Sequence, residues 1–316
     1  KLDDDIYCTD GDYISSFIGT LDGGNKTIYN MSMTVSSGTE NGFVSVNKGT
    51  ISNIAFANAS AQITSNHNGR AFGLVVGSNS GKISNVRVAR ATVSYESTSS
   101  AVSQSVEMSI GGFVGENSGQ ITGSSVSTLQ MTMRNSHITG SANLGGFVGK
   151  NLSKGTIGTD SKSIDCSVSN LTINAGGNSK IASSVYKRVG GFVGYVAGGT
   201  LTKCAVTGGL ASQIQLQAQG QDNNLGGFAG QNGSVSVTNN NATIVSCQAS
   251  IDLVANVDNG ASLNIGGICG YTQWLIRNPV VTKSMTVTGS LTNVEQGTFV
   301  GSMGGKTGLV IGGTEN

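Results

Sequence analysis

Residues that commonly carry catalysis are scarce in this chain. Two histidines, His67 and His137, stand in 316 residues, and neither has the evident acidic partner that a Ser–His–Asp site requires. The 17 acidic residues are scattered. The glycine pairs lack the Gly-Lys-Ser/Thr of a phosphate loop. We therefore predict no enzymatic activity and no cofactor.

Five aspartates near the start could supply the oxygen ligands that calcium prefers: Asp3, Asp4, Asp5, Asp10 and Asp12. Alternatively, this acidic segment binds no metal and only keeps one end of the fold soluble. The sequence favours the alternative, because the glycine-rich calcium repeat with its aspartate is missing. No metal site is predicted.

Five cysteines are present, an odd number. Cys166, Cys204 and Cys247 recur at spacings that match no zinc template. Free cysteine behaves as a small hydrophobic residue, so we predict a reduced, buried row. A single disulfide stays open as an alternative.

Two segments carry candidate ligand-binding side chains. Tyr271, Trp274 and Arg277 form the only aromatic and basic cluster in an irregular segment, where an exposed ring could stack on a sugar. The alternative is a cap over a hydrophobic end. The second segment, the predicted loop Asn174 to Arg188, contributes four candidates: Lys180, Tyr186, Lys187 and Arg188.

A repeated motif must position these residues. Ile110-Gly111-Gly112-Phe113-Val114-Gly115-Glu116-Asn117 returns as Leu144-Gly145-Gly146-Phe147-Val148-Gly149-Lys150-Asn151. Further copies place the same column at residues 43, 75, 192, 228, 268 and 299. Eight copies of one unit predict a solenoid and not a set of globular domains.

Each unit shows short runs with period-two alternation, the pattern of β-strands. Glycine and asparagine lie between these runs and tolerate the positive φ of a corner. We predict an all-β fold, a single-stranded right-handed parallel β-helix of about eight rungs with three short strands each. The glycine pair is expected to open a strand. Residues 1–40 form a preamble rung, 41–301 the repeats and 302–316 the end or cap.

Stacked rungs place equivalent side chains over one another at ~4.8 Å. The sequence predicts three such columns. One is an amide ladder of Asn47, Asn79, Asn117, Asn151 and Asn232, and one is an aromatic row of Phe113, Phe147, Phe192 and Phe228. The third is a small inward row of Ile54, Val86, Ser124, Cys166, Cys204, Cys247 and Ser284.

The motif Gly-Gly-Phe-Val-Gly-x-Asn-x-Gly-x-Ile-x-Asn resembles the GLUG motif of bacterial surface proteins, including adhesin-like and haemagglutinin-like proteins. The opening Phe17-Ile18-Gly19-Thr20-Leu21-Asp22-Gly23-Gly24-Asn25-Lys26-Thr27-Ile28 resembles the strand-and-turn preamble that often precedes such repeats. The resemblance implies the repeat fold and an adhesive role, and it brings no catalytic residues.

Composition agrees with a structured exterior protein. Glycine numbers 48, about twice its usual ~7 % share, and charged residues are only 11 %. A net charge of +1 offers no overall basic field for nucleic acid, and no apolar run reaches the ~18 residues of a membrane span. We expect a monomeric, extracellular or surface-bound fragment whose signal or anchor was removed, with no membrane insertion.

Loops of variable length interrupt the rungs between the third strand and the next glycine pair. They run over residues 96–107, 134–143, 174–188, 217–224 and 255–264. Insertions on one face often mark a binding face, so we predict that these loops recognise a host or bacterial surface glycan or protein. A structural spacer is the alternative, a polysaccharide-acting enzyme is a weaker one, and an ice-binding role ranks last.

Overall fold

The computed structural model describes residues 1–8, 13–36, 38–64, 71–97, 107–135, 141–176, 187–233, 242–282, 284–304 and 309–315. These residues form strands, turns and bends, with no helix. Three parallel sheets contain all the strands, and in each sheet the partners follow one another along the chain. Each repeat passes through sheet 1, then sheet 2, then sheet 3.

The strands of sheets 1 and 2 are short and regular. Within the described residues, sheet 1 has eight strands: Glu40–Asn41, Ala71–Gly73, Met108–Gly111, Ala142–Gly145, Lys187–Gly190, Asn223–Gly226, Leu263–Gly266 and Val294–Gly297. Sheet 2 has nine over the same part of the chain: Ile14–Phe17, Val44–Asn47, Val76–Asn79, Val114–Asn117, Val148–Asn151, Val193–Val196, Ala229–Asn232, Cys269–Thr272 and Val300–Met303.

Sheet 3 takes the rest of each repeat. Its 21 described strands are Ile6–Tyr7, Thr20–Tyr29, Ser32–Val35, Thr50–Ala57, Ser60–Thr64, Lys82–Ser97, Gln120–Thr122, Ser125–Asn135, Thr156–Ile157, Cys166–Gly176, Thr200–Thr202, Cys204–Thr207, Gln213–Ala218, Thr243–Val245, Gln248–Ser250, Asp252–Val257, Leu275–Arg277, Val280–Val281, Met285–Gly289, Leu309–Ile311 and Thr314–Glu315.

Strand register confirms the repeat alignment made from the sequence. Along sheet 2, Val76 pairs with Val44 and Val114, Val148 pairs with Val114 and Val193, and the series continues to Val300. Each of these residues follows a member of the predicted phenylalanine column. Every rung therefore lies directly on its neighbours, as equivalent positions in a stack should.

The predicted start of a strand at the glycine pair is wrong. Gly111 ends a strand of sheet 1, and Gly112 and Phe113 form a bend before sheet 2 begins at Val114. A Cβ on Gly111 would lie 2.0 Å from the carbonyl oxygen of Val114, and one on Gly112 would lie 2.4 Å from that of Gly146. Glycine is required because two backbones and the next rung approach this bend closely.

The two alternating runs that follow the asparagine were expected to be separate strands. In some repeats they join instead, as in the 16-residue strand Lys82–Ser97. Positive-φ residues bend this strand within one sheet, with φ of 53° at both Asn85 and Arg90. The predicted corner asparagines are confirmed at Asn53 and Asn85, because asparagine tolerates this backbone region better than most residues.

The aromatic row is confirmed. Phe113, Phe147, Phe192 and Phe228 are fully buried. Successive ring centroids lie 4.6, 4.6 and 4.9 Å apart, with interplanar angles of 9°, 19° and 5°. The rung spacing thus imposes parallel stacking on four identical side chains in register.

The amide ladder is confirmed over four rungs. Asn47, Asn79 and Asn117 each donate from Nδ2 to Oδ1 of the next asparagine at 2.8 Å, ending at Asn151. The expectation that Asn232 continues this ladder is wrong. Val196 occupies the intervening position and supplies no amide donor, so the buried Oδ1 of Asn232 has no hydrogen-bond partner, while Asn232 donates to Thr272 Oγ1 on the following rung at 3.0 Å.

The small inward row is confirmed except at one position. Its members from Ile54 to Cys247 are buried, and Cys166 pairs directly with Cys204. Ser284 is exposed and lies in another column, where its N–H and hydroxyl donate to Asp252 Oδ1. Cys166, Cys204, Cys247 and Cys269 are free thiols. Burial, together with the neighbouring thiols, raises the pKa of Cys204, which disfavours a reactive thiolate.

Candidate functional site

The variable loops join the ends of sheet 3 strands to the starts of sheet 1 strands, and both sets of strand ends are in register at one corner of the stack. Residues 98–106, 136–140 and 177–186 of these loops lie outside the described residues. Glu96 pairs with Arg134 before the loops, and Ala142 pairs with Lys187 after them. We call this side of the molecule the loop flank, and its described loops are residues 217–224 and 255–264.

Hydrogen bonds hold the two described loops together. Asp258 accepts from Gln217 Nε2 at 2.6 Å and from Gln219 Nε2 at 2.8 Å. Ser262 Oγ accepts from the N–H of Asp222 at 2.8 Å. These contacts leave Gln221, Asp222 and Asn259 exposed on ordered backbone. Such preorganised polar groups bind a ligand with little loss of conformational entropy.

Lys187 was predicted to lie in a loop, but it occupies the first position of a sheet 1 strand and is buried. Its Nζ donates to the carbonyl oxygen of Gln217 at 3.0 Å, which ties the strand to the loop 217–224. Burial lowers the pKa of Lys187 to about 8, and the charge of Asp258 opposes this shift. Lys187 therefore anchors the loop 217–224 through a buried hydrogen bond, and its ammonium group is not available to bind a ligand at the surface of the loop flank.

Arg188 was also predicted to be a loop residue, and it too is a buried strand residue. Its guanidinium donates to Gln231 Oε1 at 2.6 Å, Glu107 Oε1 at 2.8 Å and Asn143 Oδ1 at 3.0 Å. It also lies 4.3 Å from the ring centroid of Tyr195. Arg188 therefore uses its guanidinium for contacts within the protein and does not present it to a ligand.

Arg188 belongs to a charged cluster of Glu107, Glu116, Lys150 and Arg188. Lys150 forms an ion pair with Glu107, which also pairs with Arg188. Hydrogen bonds extend the cluster into a polar network through Ser109 and Asn143 on one side and through Gln231, Asn224 and Asn264 on the other. The network joins sheets 1 and 2 across several rungs.

Sequence reasoning missed this network, although a signal for it exists. Its sheet 1 members stand four residues before the phenylalanine column, and its sheet 2 members stand three residues after it. The repeat alignment therefore contains both polar columns. Recognising that they meet requires the bend at the glycine pair, which folds one strand back towards the other.

The two glutamates of the cluster have opposite electrostatic environments. Burial opposes ionisation of Glu107, but the charge and hydrogen bond of Lys150, with Asn143 and Arg188, outweigh it and lower its pKa. Burial raises the pKa of Glu116, and Lys150 and Ser109 compensate only in part. Glu107 forms the ion pairs with Lys150 and Arg188, whereas Glu116 accepts a hydrogen bond from the Ser109 hydroxyl.

The predicted aromatic and basic residues do not converge. Tyr271 lies on sheet 2, Arg277 is exposed on sheet 3, and Trp274 stands at the corner between them. Among the described residues, no ring or cation–π contact joins the three. Trp274 packs partly buried on the core and over Gly233, where an added Cβ would lie 1.9 Å from its ring. Its ring is thus a packing group more than an exposed stacking platform.

Two of the N-terminal aspartates form contacts within the protein. Asp4 pairs with Lys26 at 3.6 Å, and Asp5 accepts from the N–H of Thr27 at 2.7 Å. No described residues group three potential metal ligands, and no described helix could span a membrane. Six predicted candidates lie outside the described residues: Asp10, Asp12, His67, His137, Lys180 and Tyr186.

Comparison with known proteins identifies one motif. The family model of the GLUG motif matches residues 186–211. This range includes the sheet 1 strand Lys187–Gly190, the bend at Gly191–Phe192, the sheet 2 strand Val193–Val196 and the sheet 3 strands Thr200–Thr202 and Cys204–Thr207. No curated protein and no solved structure matches the chain. The chain thus contains a GLUG motif, and the stacked rungs repeat its pattern.

Proposed function

We propose that the chain is a single right-handed parallel β-helix, with residues 41–301 as its repeats. Sequential parallel pairing along all three sheets supports a coil in which each turn adds one rung. Connections between parallel strands of one sheet are right-handed in ~98 % of cases, which supports the hand. Residues 1–40 then form the start of the coil, where the strand Ile6–Tyr7 already stacks on Thr20–Tyr29, and residues 302–316 form its end.

We further propose that this β-helix is a binding module of a bacterial surface or secreted protein. It recognises a glycan or protein on a host or bacterial surface through the loop flank. The observation that carries this proposal is the common origin of the loops at one corner, with two of them fixed by mutual hydrogen bonds. The GLUG motif supports placement at the cell exterior through the resemblance noted above.

A glycan and extracellular-matrix array tests the proposal with the purified chain at physiological salt. A hit is then measured with the double variant Gln221→Ala/Asn259→Ala, which removes two exposed amides from the flank. The matched control is Gln62→Ala/Gln130→Ala on the exposed face of sheet 3. We expect at least a tenfold loss of affinity in the flank variant and none in the control. Equal binding by both variants contradicts the role of the flank.

A structural spacer is the second candidate, favoured by the unbroken stacking from Phe113 to Phe228. In a repeat protein each rung contacts only its neighbours, which suits a rod that holds another domain at a distance. A blank array supports the spacer. Turnover of a polysaccharide by the purified chain supports the third and weakest candidate, an enzyme.

A further inference from the structure

An open groove of about 580 Å³ runs along the corner between sheets 2 and 3. It spans the rungs from Ile18 to Thr156, and its lining combines three lysines with hydroxyl and amide side chains. Those lining residues include Lys48, Lys82, Lys154, Thr50, Ser80 and Gln120. The corner differs from the loop flank, which joins sheet 3 to sheet 1.

Glycines make the floor of the groove flat. Gly19, Gly49, Gly81 and Gly119 lie one above another, and a Cβ on any of the last three would lie 2.1 Å from a neighbouring glycine's carbonyl oxygen. The floor's carbonyls already accept from the next rung, as Gly49 does from the N–H of Lys82 at 2.8 Å. A ligand therefore meets a smooth surface, and the flanking side chains provide its hydrogen bonds.

The groove carries uncompensated positive charge. Lys48, Lys82 and Lys154 are exposed, and no described acidic residue lines the groove or forms an ion pair with them. Lys82 pairs with Thr50 of the adjacent rung, so Lys48 lies one rung away from Lys82 and two positions before its partner, and the rung of Lys154 lies two beyond that of Lys82. The charges thus form a line along the stack and not a single point.

We propose that this basic groove binds a linear anionic polysaccharide along the rungs. The lysines pair with its carboxylates or sulfates, and Thr50, Ser80 and Gln120 bond its hydroxyl groups. A single-stranded nucleic acid fits less well, because such sites offer aromatic rings for base stacking and this lining has none. The inference does not depend on the proposed function, because the two sites share no residue.

Affinity electrophoresis tests the groove with four polymers: polygalacturonate, dextran sulfate, neutral dextran and single-stranded DNA. We expect retardation by one or both acidic glycans, and the two arms distinguish carboxylate from sulfate. Binding should weaken between about 50 and 200 mM salt, because bound lysines release counterions. Equal retardation by neutral dextran, or stronger retardation by DNA, overturns the proposal.

Variants locate the site. Lys48→Gln/Lys82→Gln/Lys154→Gln should weaken acidic-glycan binding about tenfold or more at low salt, in line with three screened charge contacts. The double variant Lys82→Gln/Lys154→Gln should also bind acidic glycans more weakly. Its charge-matched control, Arg87→Gln/Arg134→Gln on sheet 3, should bind them as the unmodified chain does. Equal losses in both doubles, or no loss in the triple variant, overturn the groove. Gln221→Ala/Asn259→Ala should leave this binding unchanged, which separates it from the loop flank.

Discussion

Two polar columns run beside each other along sheet 2, one residue apart, and they follow opposite rules. The first repeats asparagine on four successive rungs from Asn47 to Asn151. The second changes at each step, in the order Ser78, Glu116, Lys150, Tyr195, Gln231 and Tyr271. An amide both donates and accepts, so it pairs with its own copy, whereas a charged group repels a copy at ~4.8 Å.

These two columns show how stacked strands accommodate buried and half-buried polar residues. Columns of one residue type are stable when that type complements itself, as phenylalanine and asparagine do. Columns that contain charges need a different partner on the next rung and on the facing sheet. Arg188 and Glu107 supply those partners from the sheet 1 side. Sequence repetition therefore marks the first kind of column and hides the second.

The largest effect is expected where a self-complementary column receives a charge. Phe147→Asp places a carboxylate between the rings of Phe113 and Phe192 and leaves it without a partner. We expect a loss of stability on the order of 4 kcal/mol or more, because a buried unpaired charge adds to the lost apolar burial. Urea unfolding measures it. The control Phe147→Leu should cost about 1–2 kcal/mol, and a Phe147→Asp protein as stable as that control would refute the inward row.

Val196 and Val193 are a matched pair of positions for testing how much the amide ladder contributes to stability. Both valines are fully buried in sheet 2, but only Val196 pairs with Asn151 on one side and Asn232 on the other. The Oδ1 of Asn232 is buried and accepts no hydrogen bond. Val196→Asn can donate to that oxygen and extend the ladder, so its cost should stay under about 1 kcal/mol. Val193→Asn has no such partner and should cost about 3 kcal/mol. Equal costs in denaturant unfolding would contradict the ladder as a stabilising column.

The pH dependence of stability tests whether the ammonium group of Lys187 is desolvated under the loop flank. Its pKa is about 8 in the folded protein and 10.5 when unperturbed, so the unfolded chain binds more protons between these values. The free energy of unfolding should therefore rise from pH 8 towards pH 10.5, by roughly 3 kcal/mol from this group. Lys187→Met should flatten this rise while keeping the buried stem. Identical pH profiles for the two proteins would show that Lys187 is not desolvated.

The two glutamates of the charged cluster give the smallest and most discriminating comparison. Glu107→Gln leaves Lys150 and Arg188 without their carboxylate and should cost about 1–2 kcal/mol at pH 7. Glu116→Gln relieves a burial penalty and should be neutral or slightly stabilising. Thermal unfolding at pH 7 should give Glu107→Gln a lower Tm than the unmodified chain, and Glu116→Gln a Tm that is equal or slightly higher.

The pH dependence of the same pair follows from the direction of each shift. Because the pKa of Glu107 is lowered by folding, its contribution is present above the unfolded pKa and is lost as pH falls through the folded value. The deficit of Glu107→Gln should therefore shrink in acid. Glu116 has a raised pKa, so its ionisation favours unfolding as pH rises through the unfolded value. A deficit of Glu107→Gln that grows in acid would contradict this assignment.

Much of the fold follows from the sequence, because a repeated motif also specifies neighbours. Aligning the copies on Phe113 and Phe147 gave the strand register, the aromatic row and most of the amide ladder without any coordinate. The alignment failed where a copy drifts. Ser284 lies opposite Asp252 and not beside Cys247, since the register of the later repeat is set by Val280 and Met285.

Where the copies of the motif align, the sequence specifies which residues stack along the sheets, since equivalent positions lie one rung apart in any parallel stack. Which columns meet across the bend at the glycine pair depends on the three-dimensional fold, and that juxtaposition buries Arg188 against Glu107. The fold also placed Lys187 on a strand, and it brought Lys48, Lys82 and Lys154 to one groove from positions that differ between repeats. Such contacts depend on the angle between sheets, which is set by backbone packing at glycine and not by the period of the motif.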